Sequence, residues 1–312
     1  MTPLRNLTVL AEDQWLPRER AHQDRARPFT EGYLRRRSAG KLHPVEDFLF
    51  SYYTQKPGQL LRWHPGAGVV LTGAAAAGRL WKHYRRLDGG ELARLGLAPD
   101  TVAVTADVAA FSAARPGTVD FTRLLLGNTA AKTPQLGCFG LHEWAMAYKS
   151  EVNGIRHEYL DLRLGARGTD ELVERSRIRC THFDAFRFYT PQAVPLNELT
   201  PSRESQTAME QPGCLHANMD LYKWTYKLVP LLPSELVMDC FELSWRIREM
   251  DMKASPYDLA EWGYAPIPVE TPRGRADYAA AQRGFAAESQ VLRGRVLDLL
   301  GRLDQAPEAE GR

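Results

Sequence analysis

Arg175-Ser-Arg-Ile-Arg-Cys-Thr-His-Phe-Asp-Ala-Phe-Arg-Phe-Tyr-Thr190 interleaves basic and apolar residues before it turns aromatic. Read as a strand with a period of two, it places Ile178, Cys180, His182, Asp184, Phe186 and Phe188 on one face and Arg175, Arg177, Arg179 and Thr181 on the other. The apolar face thus carries a histidine and an aspartate. An unpaired ionised group on the inward side of a half-buried strand is strongly penalised, so these two must pair, hydrogen-bond or bind something. A core His-Asp pair that only holds loops together meets the same need.

Outward from this stretch, 312 residues can bury a sizeable core as one large domain or two. With 44% hydrophobic and 25% charged residues the composition is that of a globular chain, neither disordered nor fibrous. Lys and Arg number 40 against 38 Asp and Glu, so any nucleic-acid surface has to come from local patches rather than from the net charge of +2. The first fifteen residues hold no uninterrupted apolar run, which places Cys138, Cys180, Cys214 and Cys240 as free thiols in a reduced, cytoplasmic setting. No apolar run approaches bilayer length, so no membrane partner is expected.

Residues 1–41 form a basic N-terminal arm containing Arg18, Arg20, Arg25, Arg27, Arg35, Arg36, Arg37 and Lys41, read as a solvated, partly helical surface or as a segment lying on phosphates. Residues 42–272 form the catalytic domain. It opens with a helix after His43-Pro44, apolar at Phe48, Leu49, Tyr52 and Tyr53, with His43 and Glu46 as caps. Gly66, Gly68 and Gly73 match neither the dinucleotide fingerprint nor the phosphate loop, leaving a loop and a short strand, and residues 86–117 read as a weakly patterned connection. A helix from Phe139 to Ser150 surrounds His142 and Glu143 with Leu141, Trp144, Ala145, Met146 and Tyr148. A second, from about His216 to Leu228, lines up His216, Asp220, Lys223 and Lys227. The helix after Pro233 buries Leu236, Val237, Cys240, Phe241 and Ile247, and turns Asp239 and Glu249 outward. Residues 273–312 form a C-terminal helix packed on the outside of the domain, with a frayed tail. The expected class is a mainly helical α+β single domain with a small sheet.

His142-Glu143, His182-x-Asp184 and His216-x-x-x-Asp220 are the constellations that can carry chemistry. In one reading a carboxylate, Asp184 or Glu143, activates water while His182 or His142 orients it, and Phe183, Phe186, Phe188, Tyr189, Trp144 and Trp224 hold a flat substrate, with Lys223 on phosphate. Such a site needs no cofactor and suits cleavage of the N-glycosidic bond to a cationic alkylated purine. In the other, His142, Glu143, His182, Asp184, His216 and Asp220 supply ligands to a divalent metal. Two imidazoles and a carboxylate suit non-haem iron or manganese, and histidine with cysteine suits zinc, for an oxygenase or hydrolase of a small-molecule substrate. A non-catalytic binding protein uses the same pairs structurally.

The segments His43-Pro-Val-Glu-Asp-Phe-Leu-Phe-Ser-Tyr-Tyr, Pro134-Gln-Leu-Gly-Cys-Phe-Gly-Leu-His-Glu-Trp-Ala-Met, Arg179-Cys-Thr-His-Phe-Asp-Ala-Phe-Arg-Phe-Tyr-Thr-Pro and Gln211-Pro-Gly-Cys-Leu-His-Ala-Asn-Met-Asp-Leu-Tyr-Lys-Trp resemble those of a bacterial protein family labelled 3-methyladenine DNA glycosylase. The resemblance spans about residues 40 to 272. It implies a DNA-repair hydrolase acting on damaged double-stranded DNA. The helix-hairpin-helix Leu-Pro-Gly-x-Gly element of the well-understood alkyl-base glycosylases is absent, so no catalytic residue carries over from those enzymes.

Overall fold

Helix dominates because the longest apolar stripes recur at three and four residues, while runs alternating at two stay short. This computed structural model describes residues 7–303. β1 (Thr8–Leu10) leads into α1 (Glu12–Ser38), then the short helices α2 (Phe48–Tyr52) and α3 (Pro57–Leu60). β2 (Val69–Thr72), β3 (Tyr84–Arg86) and β4 (Ala103–Ala106) follow, with α4 (Gly89–Arg94) between the last two. After α5 (Val108–Ala114) and α6 (Thr118–Ala130) come the short α7 (Leu141–Met146), α8 (Ser150–Asn153), α9 (Gly165–Arg175), α10 (Phe183–Phe186) and α11 (Gln206–Met209). Three long helices complete the domain: α12 (Leu215–Lys227), α13 (Ser234–Lys253) and α14 (Pro272–Arg302).

The sheet runs in the order β1-β2-β4-β3, with β1 parallel to β2 and the other pairs antiparallel. Its faces separate two clusters: Leu71 and Val104 pack with Trp15, Trp63 and Leu10, whereas Val70 and Ala103 pack with Leu87 and Leu92. Residues 86–117, expected as a connection, therefore supply a whole strand and two helices. Short strands rich in alanine carry too little pattern to announce themselves.

The larger core forms where α12 is packed by α13, α14 and the elements around α7. Apolar and polar residues of α12 alike are buried, from Leu215 to Tyr226. Its polar stripe therefore needs internal partners. Asn218 donates to Pro212 O at 2.9 Å and accepts from Arg293 Nη2 at 2.9 Å, and Asp220 accepts from Tyr53 OH at 2.8 Å. The partner Arg293 is fully buried on α14, whose other face, with Arg273, Asp277, Arg283 and Val291, is exposed, so the C-terminal helix packs on the outside of the domain and sends one arginine into its core. The tail from Ala306 lies outside the described residues.

The basic run at the N-terminus is a packed helix, not an arm. Trp15, His22, Ala26, Thr30 and Tyr33 of α1 are buried, and two of its arginines tie it to other elements: Arg25 on Asp239 and Glu242, Arg36 on Glu46 and Asp47. His43 caps the next turn, its Nδ1 accepting from Glu46 N at 3.0 Å.

The stretch 175–190 departs most from expectation. Ile178, Cys180 and His182 are buried and Arg177 and Arg179 exposed, as alternation requires, but Thr181, expected outward, is buried too. Pairing nevertheless stops at a single bridge from Ile178 to Asn197, because the Asn197 side chain takes the place of a neighbouring strand. Its Oδ1 accepts from Cys180 N at 2.7 Å and its Nδ2 donates to Cys180 O at 3.1 Å. From Phe183 the chain turns helical, and Asp184 leaves the face that carries His182.

Candidate metal centre

Two docked loops set the geometry. Gln211 Oε1 accepts from Gln135 N at 2.9 Å and its Nε2 donates to Gln135 O at 3.3 Å, pinning the segment before α7 to the segment before α12. Gly213 makes the approach feasible, since a Cβ there would lie 2.4 Å from Gln135 O. Phe139 and Gly140 then take left-handed conformations, φ 48° and 69°, and turn the chain sharply into α7. His142 on α7 thereby meets His216 in the first turn of α12 and Asp251 near the end of α13.

The ligand atoms of His142, His216 and Asp251 all lie within 4.8 Å of one another. His142 Nε2 is 3.2 Å from Asp251 Oδ2, and its Nδ1 is 3.6 Å from Cys138 Sγ. The His216 ring stands edge-on to that of His142, centroids 4.4 Å apart, and makes no hydrogen bond among the described residues. Asp251 is fully buried, yet its Oδ1 has no hydrogen-bond partner. Burial works against charge on both members of the pair, but the attraction between them prevails: His142 is held well above, and Asp251 well below, their ordinary ranges, Asp251 at about 2. His216 is pushed well below its ordinary value by burial and by the neighbouring His142.

A second group sits beside the first. His182 Nε2 is 3.4 Å from Glu210 Oε1 and 3.5 Å from Asp220 Oδ2, and the His182 and His216 rings are 5.4 Å apart. Here the charge is already balanced within the protein: Lys223 Nζ lies 2.8 Å from Asp220 and 2.7 Å from Asp184, and Gln206 donates to Glu210 at 2.6 Å. An ammonium at that distance competes directly with a metal ion for Asp220. In the His142–His216–Asp251 group the counter-charge in contact with Asp251 is His142 itself, whose proton a metal ion would displace; Arg248 Nη1 stands 3.9 Å from Asp251 and spends its hydrogen bond on Glu143, at 2.9 Å.

A cleft of about 500 Å³ opens onto His142 and His216. Cys138, Cys180 and Cys214 line it as free thiols, and Arg175, Arg177, Arg179 and Arg275 line it as cations. Arg177 is bound to Glu198, while Arg175, Arg179 and Arg275 have no ion pair among the described residues.

Of the residues singled out from sequence, His142, His182, His216 and Asp220 converge. Glu143 and Asp184 lie beside them but in neither ligand group, each held by cations: Glu143 by Arg248, and Asp184 by Lys223 and by Arg187 at 3.1 Å. Both border, together with His216, a crevice of about 10 Å³, room for no more than a water. Trp144 is a core residue, fully buried with its indole N–H on Ala254 O at 2.9 Å. Phe186 and Phe188 pack against the main core, Tyr189 is buried in it, and Trp224 faces a different cleft. Asp251, Glu210, Arg248 and Tyr53 were not anticipated. Asp251 alone had a signal, because it extends the buried stripe Cys240, Ser244, Ile247 by one turn.

No protein-family model, curated protein or solved structure matches the chain. Among the described residues, no helix is long and apolar enough to cross a membrane.

Proposed function

We propose that the protein is a metal-dependent enzyme of the non-haem iron or manganese type, its ion held by His142, His216 and Asp251 and its substrate a small anion admitted through the arginine-lined cleft. The observation that carries this reading is the meeting of two imidazoles and a carboxylate within 4.8 Å, with His142 and His216 lining the cleft and Asp251 fully buried behind them, one of its oxygens unbonded. Ordinary cores satisfy such groups. Two histidines and a carboxylate with open positions form the ligand set of iron oxygenases, and once bound the ion supplies Lewis acidity or dioxygen activation. The chain's own part is to hold the ligands and select the substrate. Glu143 keeps Arg248 from closing on Asp251, Cys138 fixes the ring of His142, and Arg175, Arg179 and Arg275 attract and orient a carboxylate or phosphate.

The test is metal analysis of the purified full chain, together with the variants His216→Ala and Asp251→Asn. Roughly one equivalent of iron or manganese, lost in both folded variants, is expected. Zinc at the same ligands would move the chemistry to hydrolysis.

Excision of an alkylated purine is the second reading, favoured by the size of the same cleft and by its unpaired arginines, which suit a base and its phosphates. Release of 3-methyladenine from methylated DNA by metal-free protein supports it; Asp184, the carboxylate expected for that chemistry, does not line this cleft, so Asp184→Asn should leave such release unchanged.

A further inference from the structure

At the far end of α12 lies a second and larger cleft, of about 810 Å³, between the strand-bearing part of the chain and the N-terminus of α6. Its lining contains no aspartate or glutamate. It does contain Arg62, Lys82, Arg115, Arg203 and Lys227, and none of these forms an ion pair with a carboxylate among the described residues. Elsewhere cations such as Arg25, Arg36, Arg85, Arg163 and Arg246 do find carboxylates. Arg115 also donates to Lys227 O, and four of the five lie over aromatic rings. Five cations without a carboxylate around one concavity still repel one another and are stabilised by a bound anion.

The rest of the lining narrows the anion. Trp81, Phe121 and Trp224 present aromatic surface, with Phe121 and Trp224 centroids 5.3 Å apart and Lys227 Nζ 4.7 Å from the Trp224 ring. Trp224 is 7% exposed, and its buried indole N–H has no hydrogen-bond partner among the described residues. Gln55, Gln59 and Gln206 add amides that both donate and accept. Gly117 and Thr118, at the start of the 13-residue α6, also line the cleft, and no side chain caps that helix end. Inorganic phosphate has no use for the rings and amides, and an aliphatic acid has none for the aromatic pair.

We infer that this cleft binds a nucleoside phosphate, its phosphate among Lys82, Arg115 and Lys227 at the helix end and its base against Trp224 and Trp81. The volume falls within the roughly 300–1,000 Å³ of small-molecule sites. The ligand can be a free nucleotide or the exposed end of a single strand, since both offer the same phosphate and base. The inference is independent of the metal centre, which lies about 16 Å away along α12 at 1.5 Å per residue.

Calorimetric titration of the full chain with AMP, GMP, CMP, adenosine, inorganic phosphate and a short single-stranded oligonucleotide tests it. At least one nucleotide or the oligonucleotide is expected to bind about tenfold or more tightly than adenosine or phosphate alone. The paired change Lys82→Glu with Lys227→Glu, and separately Trp81→Ala, should each weaken that binding about tenfold, whereas Arg179→Glu in the other cleft should leave it unchanged. Binding of the oligonucleotide alone with these sensitivities assigns the strand as ligand, and binding of mononucleotides assigns the free form. Absence of binding to every nucleotide and strand, binding indifferent to the Lys82 and Lys227 changes, or phosphate alone binding as well as the nucleotide would overturn the inference.

Discussion

Asp251 has one oxygen on His142, and the other lies buried without a partner. Replacing it with asparagine removes the negative charge that holds the His142 imidazolium inside the protein, so Asp251→Asn should cost about 3–5 kcal/mol in metal-free protein, measured by denaturant unfolding. His64 makes a different kind of statement. Burial, and then the nearby Arg79, lower it to about 3, so the folded protein keeps it neutral, its Nδ1 hydrogen-bonded with Tyr84 OH at 2.9 Å. The unfolded chain takes up a proton below about 6.5 that the folded one refuses. Stability from this residue is therefore complete above that pH and declines as pH falls toward 3, by up to about 1.4 kcal/mol per unit. His64→Gln should flatten the stability-against-pH curve across that window. If the variant and parent curves run parallel, His64 is not the neutral group described. At this scale the sequence was legible in part. His142, His182 and His216 stood out as polar residues in apolar surroundings, while Glu210, in a turn without periodicity, and Tyr53, a core aromatic by type, left no mark.

α12, α13 and α14 could be read nearly to their ends because heptad-like apolar spacing, Pro233 and Pro272 at helix starts, and long uninterrupted runs agree with one another. The extended stretch before α10 could not, because what replaces its strand partner is a single amide, that of Asn197, and side-chain mimicry of a neighbour has no sequence period. α1 reads as solvated helical surface, and what its sequence hides is the docking on α13, because the acids of Arg25, Asp239 and Glu242, lie 214 and 217 residues away. The element that matters most for the site is the contact of the Gln135 and Gly213 loops. Gly213→Ala drives a methyl group into the Gln135 backbone, where no flexible side chain can yield, and should separate α7 from α12. A fall in metal content with far-UV circular dichroism preserved is expected, whereas unchanged metal content would mean the docking does not position His142 and His216. Leu221, fully buried in the middle of α12, is the control: Leu221→Ala should cost about 2–5 kcal/mol of stability and leave the ligand set in place.

Across the whole molecule, a net charge of +2 conceals a strong local imbalance. Both large clefts are lined by arginine or lysine and by no carboxylate, one at each end of α12. The fold class follows from periodicity and could be stated beforehand. The convergence of α7, α12 and α13 could not, since it rests on docking contacts between residues some 75 to 110 positions apart, such as Gln135 with Gln211 and His142 with Asp251. Elemental analysis of the freshly purified full-length chain bears most directly on the central proposal. Roughly one iron or manganese per chain, absent from folded His216→Ala and Asp251→Asn and retained in Asp184→Asn, is the expected result. Protein that binds no divalent metal even after anaerobic loading, or that binds it equally well in both variants, would contradict it.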